Sequence, residues 1–262
     1  MLLNAGADVE ATRTDGRTTL MFAACLGNPA VLRELPLRGA DRSAALADGR
    51  TALLRAVRHV ETAAVQALLE GGANANAATA GGTTALKLAA ELGHVLVMQA
   101  LVAAGAEVDA AAADGLTALI WAAQDGQTAA VHALLAEGAD VHARMANGAT
   151  ALTLGAGGGH AAVVIALLGA GADANAAEAD GWNALMLAAK SGHTLAALAL
   201  MGSGANVDRT LPDGRSALTL AHKAGHSDFV QAVWAYVLAN AAAARHGADD
   251  AAGDQEYAAA VM

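Results

Sequence analysis

Residues 114–141 read DGLTALIWAAQDGQTAAVHALLAEGADV, and this stretch decides the fold. Gly115 follows an aspartate, the commonest setting for a tight turn. Two residues on, Thr117 is a good helix N-cap, able to bond an orphan amide of the turn that follows. Leu119-Ile120-Trp121-Ala122-Ala123 then predicts a short helix, which Gly126 breaks. A second helix carries Val131, Leu134 and Leu135 at helical spacing. It ends at Gly138, where a left-handed C-cap residue is cheapest. Ala139-Asp140-Val141 leads out as an extended segment.

The same unit recurs along the chain. Turn glycines fall at Gly16, Gly49, Gly82, Gly115, Gly148, Gly181 and Gly214, each 33 residues after the last and with no insertion. Asp or Asn precedes every one except Gly82, which follows Gly81. Thr18, Thr51, Thr84, Thr117, Thr150, Asn183 and Ser216 hold the capping position, and leucine follows two residues later in every repeat. A Gly-Ala signal closes the second helix at Gly39, Gly72, Gly105, Gly138, Gly171 and Gly204. A helix pair of this size cannot bury both faces alone, but stacked copies do so, and Ala-Ala pairs such as Ala89-Ala90 allow close helix approach. The expected architecture is an all-α solenoid of seven full 33-residue repeats over residues 12–238, preceded by a partial repeat (1–11) and followed by a tail (239–262).

Composition agrees. The chain is 55% hydrophobic but only 3% aromatic, so Ala, Leu and Val must fill a core of regularly packed helices. The net charge of −10 is unevenly spread: residues 1–60 balance to +2, 61–143 to −8, 144–238 to −1 and the remainder to −3. An acidic middle repels phosphate backbones, and no basic stripe interleaves with aromatics, which argues against nucleic acid. Cys25 is the single cysteine, so no intrachain disulfide forms, as suits a reducing compartment. The start, MLLNAG, has no secretory pattern. The longest apolar stretch, Ala161–Ala172, is too short for a membrane span of about 20 residues. The expected location is cytoplasmic, or intracellular more broadly.

With these residues in view the chain resembles the ankyrin-repeat family. Asp-Gly-x-Thr-x-Leu, Ala-Ala-x-x-Gly-His and Leu-Leu-x-x-Gly-Ala-Asp-Val-Asn match its consensus from residue 2 to about 238. The resemblance implies a non-catalytic adaptor that recognises protein on a concave face built from turn fingers and first helices. It also implies that Arg17, Arg50, Leu116, Trp182 and Arg215, after the turn glycines, face the partner together with Arg58, Gln124, Asp125 and Lys190 near the first-helix ends. These positions vary between repeats while the scaffold does not. Trp182 reads either as an interface anchor or as a residue packed on a neighbouring finger. Arg17, Arg50 and Arg58 read as a basic corner for an acidic peptide or as a solvated face.

Departures from the consensus carry expectations of their own. The family's Pro-Leu-His is lost: Thr19 or alanine replaces the proline, and Met21, Leu54, Lys87, Ile120, Thr153, Met186 and Thr219 replace the histidine. The hydrogen bonds of that histidine are expected to be missing. Pro36 lies inside a second helix, Val60 replaces an inter-helix glycine, Arg55 stands among apolar sisters, and Gly155, Gly157, Gly158 and Gly159 suggest a hinge. The chain opens on the closing turn of a repeat, which suggests a longer array, the targeting part of a larger ankyrin-containing enzyme or channel truncated upstream of Met1, or an N-terminal edge covered by something else. A monomer is expected unless that edge pairs. At the other end Phe229, Trp234 and Tyr236 suggest a terminal cap whose helix runs on through Ala241–Ala244, with a disordered remainder.

No catalytic set emerges. His94, His160, His193 and His226 lie one repeat apart, near 10 Å in a helix stack, whereas zinc needs each ligand about 2.0–2.1 Å from the metal. Cys25 has no histidine following in its own repeat, and the glycine cluster lacks the Lys-Ser/Thr of a phosphate loop. Neither a cofactor nor a metal is expected, and the partner is protein.

Overall fold

The computed structural model describes residues 8–240, and the readings of residues 1–7 and of the tail from Ala241 onward lie outside them. Fourteen helices pair along the described residues. The first helices are α1 (Thr19–Leu26), α3 (Ala52–Arg58), α5 (Ala85–Glu91), α7 (Ala118–Gln124), α9 (Ala151–Gly157), α11 (Ala184–Ser191) and α13 (Ala217–Ala224). The second helices are α2 (Pro29–Leu37), α4 (Thr62–Glu70), α6 (Val95–Ala103), α8 (Thr128–Ala136), α10 (Ala161–Gly169), α12 (Thr194–Gly202) and α14 (227–240). First helices stack on first helices and second on second, giving a two-layer solenoid. None of the described helices is long and apolar enough to cross a membrane.

Every first helix starts as its capping residue dictates. Thr18, Thr51, Thr84, Thr117, Thr150, Asn183 and Ser216 hold extended backbone and accept from the amide three residues on. Each such cap is worth about 1 kcal/mol. Between the layers run the leucines of the repeat: Leu20, Leu53, Leu86, Leu119, Leu152 and Leu185 are at most 2% exposed. Burying one such side chain contributes about 1.5–3 kcal/mol. Ala89, Ala90, Ala122, Ala123, Ala188 and Ala189 are fully buried where first helices meet, and larger side chains there would hold the helices apart.

The turn fingers interlock. Asp48 accepts through its backbone oxygen from Ala80 N at 2.9 Å, Asp114 from Ala146 N at 2.7 Å, and Asn147 from Ala179 N at 2.8 Å. Within six fingers the Asp or Asn before the glycine accepts from the amide just after it. In the third repeat, where Gly81 cannot do this, Thr79 Oγ1 accepts from Thr83 N at 3.1 Å instead.

Some expectations of weakness need correction. The lost histidine is replaced by local chemistry in three repeats. Thr153 Oγ1 accepts from Thr150 N at 2.9 Å and Thr219 Oγ1 from Ser216 N at 2.8 Å, completing reciprocal capping boxes. Lys87, only 1% exposed, donates from Nζ to Gly82 O at 2.7 Å. Burial pushes its ammonium below the ordinary lysine range, and the charge of Asp114 opposes that fall. At the glycines that suggested a hinge, α9 keeps the seven-residue length of α5 and α7. Gly155 lies where a Cβ would come within 3.1 Å of Val163 Cγ1, so it permits close packing instead. Pro36 does not break α2, because it sits in the last turn and Arg38 N closes the helix on Glu34 O and Leu35 O.

Val60 is a real defect. It has φ +64°, the one non-glycine in the left-handed region among the described residues. A β-branched side chain there is an outlier, and such strain costs about 1–3 kcal/mol. Half of its surface faces solvent, so little packing compensates. Val60→Gly is expected to raise stability by about 1 kcal/mol or more, read as a higher urea midpoint at an unchanged slope.

Candidate protein-recognition face

The inner face is made of first helices and fingers, and its side chains divide into two clusters. The larger surrounds a cleft of about 640 Å³ near the N-terminal end. Arg17 and Arg50, each just after a turn glycine, enter it from the fingers, and Arg58 and His59 enter from the end of α3. Its apolar lining comes from Leu54, Leu88 and Trp121, on three successive first helices. Arg55 joins them, with Nε donating to Cys25 Sγ at 3.1 Å. Arg50 pairs with Asp48 at 3.3 Å and Arg17 with Asp15 at 3.4 Å, both partly exposed. Arg58 is exposed, and its side chain has neither a hydrogen bond nor an ion pair among the described residues.

The second cluster lies towards the C-terminal end. Trp182 is half-buried against the core, with Lys190 Nζ 5.3 Å and Arg215 Cζ 5.6 Å from its ring centroid. Each such cation is worth about 0.5–1 kcal/mol at an exposed site. Arg215 also holds Asp213 at 2.7 Å. Trp182 is therefore packed on the scaffold, with cations from the next finger and from the first helix of its own repeat over its ring. Arg13 and Arg17 sit on the Phe22 ring in the same way, at 5.2 and 6.0 Å.

Between the clusters the face is plainer. Leu116 is half-buried against the core, while Gln124 and Asp125 are exposed at the end of α7. The Gln124 carbonyl is taken by His160 Nε2 at 3.1 Å, and the Lys190 carbonyl by His226 Nε2 at 3.2 Å. These histidines, at the start of second helices, thus cap the first helix of the preceding repeat. In the fourth repeat Gln127 Nε2 does the same to Glu91 O at 3.1 Å. The rings lie over the inter-helix glycines: a Cβ on Gly192 would stand 2.7 Å from His226 Nδ1. No group of three His, Cys, Asp or Glu side chains able to hold a metal exists among the described residues.

Arg17, Arg50 and Arg58 are brought together, as are Trp182, Lys190 and Arg215. Arg55 and Trp121 belong to the first cleft although the sequence did not assign them to the face. The signal for both is one column of the repeat: Phe22, Arg55, Leu88, Trp121, Leu154, Leu187 and Leu220 share a register position on the inward side of the first helices. A charged or very large residue in an otherwise aliphatic column marks that position as only partly buried.

The family model described as "Ankyrin repeats (3 copies)" matches residues 1–79, 20–112, 59–145, 102–178, 119–210 and 156–245, overlapping along the array. Among solved structures, the crystal structure of the human ASB11 ankyrin repeat domain is similar, with a TM-score of 0.74 at 26% identity over 84% of this chain and 98% of that one. No curated protein matches.

Proposed function

Because this chain belongs to the ankyrin-repeat family, whose members are generally protein–protein interaction modules, we propose that it is a non-catalytic adaptor binding a protein segment on its concave face. The observation that carries this reading is a contrast within each repeat. Turn glycines and core leucines are constant and the caps keep to Thr, Ser or Asn, because helix starts and packing fix them, whereas the exposed and partly exposed side chains of the inner face change from repeat to repeat. Among those are Arg17, Arg50, Arg58, Leu116, Gln124, Asp125, Trp182, Lys190 and Arg215. Interface energy concentrates in a few aromatic and arginine residues, so Arg50 and Trp182 are the ones to test. The double variant Arg50→Glu/Trp182→Ala is expected to weaken partner capture by about tenfold or more. Affinity capture from the native cell, quantified by mass spectrometry, measures this, with circular dichroism melts showing that the variant remains folded. Recovery of the same partners at the same yield would show the assigned face to be wrong.

A further inference from the structure

Resting on the concave-face reading, we infer that the N-terminal cleft takes an asymmetric peptide segment: acidic side chains, then one apolar anchor, then a stretch without acidic residues. The chemistry of the cleft orders these three parts. Arg17, Arg50 and Arg58 enter it from the first two repeats. The Arg58 side chain has no partner among the described residues. Arg50 is held only by a partly exposed pair with Asp48, and such pairs are worth about 0–1 kcal/mol, so a ligand carboxylate readily exchanges for it. Arg55 spends Nε on Cys25 Sγ, and a guanidinium has further N–H donors for a carboxylate.

The apolar part follows from Trp121, the partly exposed member of an apolar lining whose Leu54 and Leu88 are themselves buried. A free inorganic anion would leave the Trp121 ring uncovered, whereas an apolar peptide side chain covers it. The cleft volume, about 640 Å³, falls within the range of small-ligand clefts, about 300–1,000 Å³. That suits a short run of side chains better than a whole helix laid along the array.

The third part comes from the change of sign. Glu91 lines the cleft at the end of α5, one repeat on from Arg58, and Asp125 follows α7 in the repeat after that. Neither has an ion pair among the described residues. A ligand acidic throughout would meet two uncompensated carboxylates there, as would the phosphate backbone of a nucleic acid. The bound segment thereby acquires a direction, with its acidic end towards the first two repeats.

Selection of a random-peptide display library on the immobilised full chain tests this. Enriched sequences are expected to carry two or more acidic residues on one side of an aliphatic or aromatic residue and none on the other. The best synthetic peptide should lose about tenfold or more in affinity against Arg50→Glu and against Arg58→Glu, by fluorescence polarisation. It should be indifferent to Lys190→Glu, and its binding should weaken as salt rises. Glu91→Gln/Asp125→Asn should admit peptides acidic on both sides. Neutral or basic sequences, no enrichment, or acidic sequences indifferent to Arg50 and Arg58 would overturn the assignment. Peptides lost only on Trp182→Ala would overturn it while keeping the concave face, and peptides indifferent to every one of these variants would remove both readings.

Discussion

Gly115→Ala is expected to destabilise the chain by about 2–5 kcal/mol, more than the same change at Gly214. Both glycines are left-handed, with φ +85° and +83°. An alanine in that conformation costs about 1–2 kcal/mol at either position. At Gly214 that is the whole cost, because a Cβ there meets nothing within 4 Å. At Gly115 the Cβ would fall 2.7 Å from Arg144 O and 2.8 Å from Met145 Cα, both backbone atoms of the next finger. Backbone cannot rotate aside as a side chain does, so the fourth and fifth fingers must separate. Doing so also puts at risk the bond from Ala146 N to Asp114 O. Urea denaturation of the two variants beside the parent chain measures the difference. Equal losses would show that finger crowding costs nothing.

Phe229→Ala is expected to cost about 3–5 kcal/mol, but only locally. Phe229 is 1% exposed on α14, in a column occupied by Val31, Ala64, Val97, Ala130, Val163 and Ala196 in the earlier repeats. Its size fills space at the last repeat, and Tyr236 on the same helix donates to Met201 O at 2.5 Å. Trp234, by contrast, is 52% exposed, so the aromatic cap is Phe229 and Tyr236 rather than all three. In a solenoid each repeat is stabilised by its neighbours alone, and the terminal one has a single neighbour. Hydrogen exchange is expected to show lost protection in α13 and α14 with α3 to α8 unchanged. An equal loss in α7 and α8 would mean that the array opens as one unit.

The inner face was less legible in the sequence than the scaffold. Arg17, Arg50 and Arg58 could be grouped because their register positions are adjacent in a stack. Arg55 looked like a flaw in the core, since its column is otherwise apolar. Only the placement of its Nε on Cys25 Sγ, beside Leu54 and Trp121, shows that the column opens onto the cleft. For Trp182 the sequence left two roles open, an interface anchor or a residue packed on a neighbouring finger. Its stacking with Lys190 and Arg215 depends on side-chain directions across two fingers.

The repeat, its helix boundaries and its two-layer stack were determined by sequence alone. Their causes are local: a capping hydroxyl three residues before its amide, a glycine where the chain turns left-handed, leucines at helical spacing. Repetition every 33 residues then leaves one way to bury the remaining faces. What substitutes for missing consensus groups was decided only in three dimensions. Thr79 stands in for an aspartate, the Lys87 ammonium reaches Gly82 O, and His160 caps a helix 36 residues away. So was the unpaired state of Arg58, because pairing depends on distances that no spacing along the chain contains.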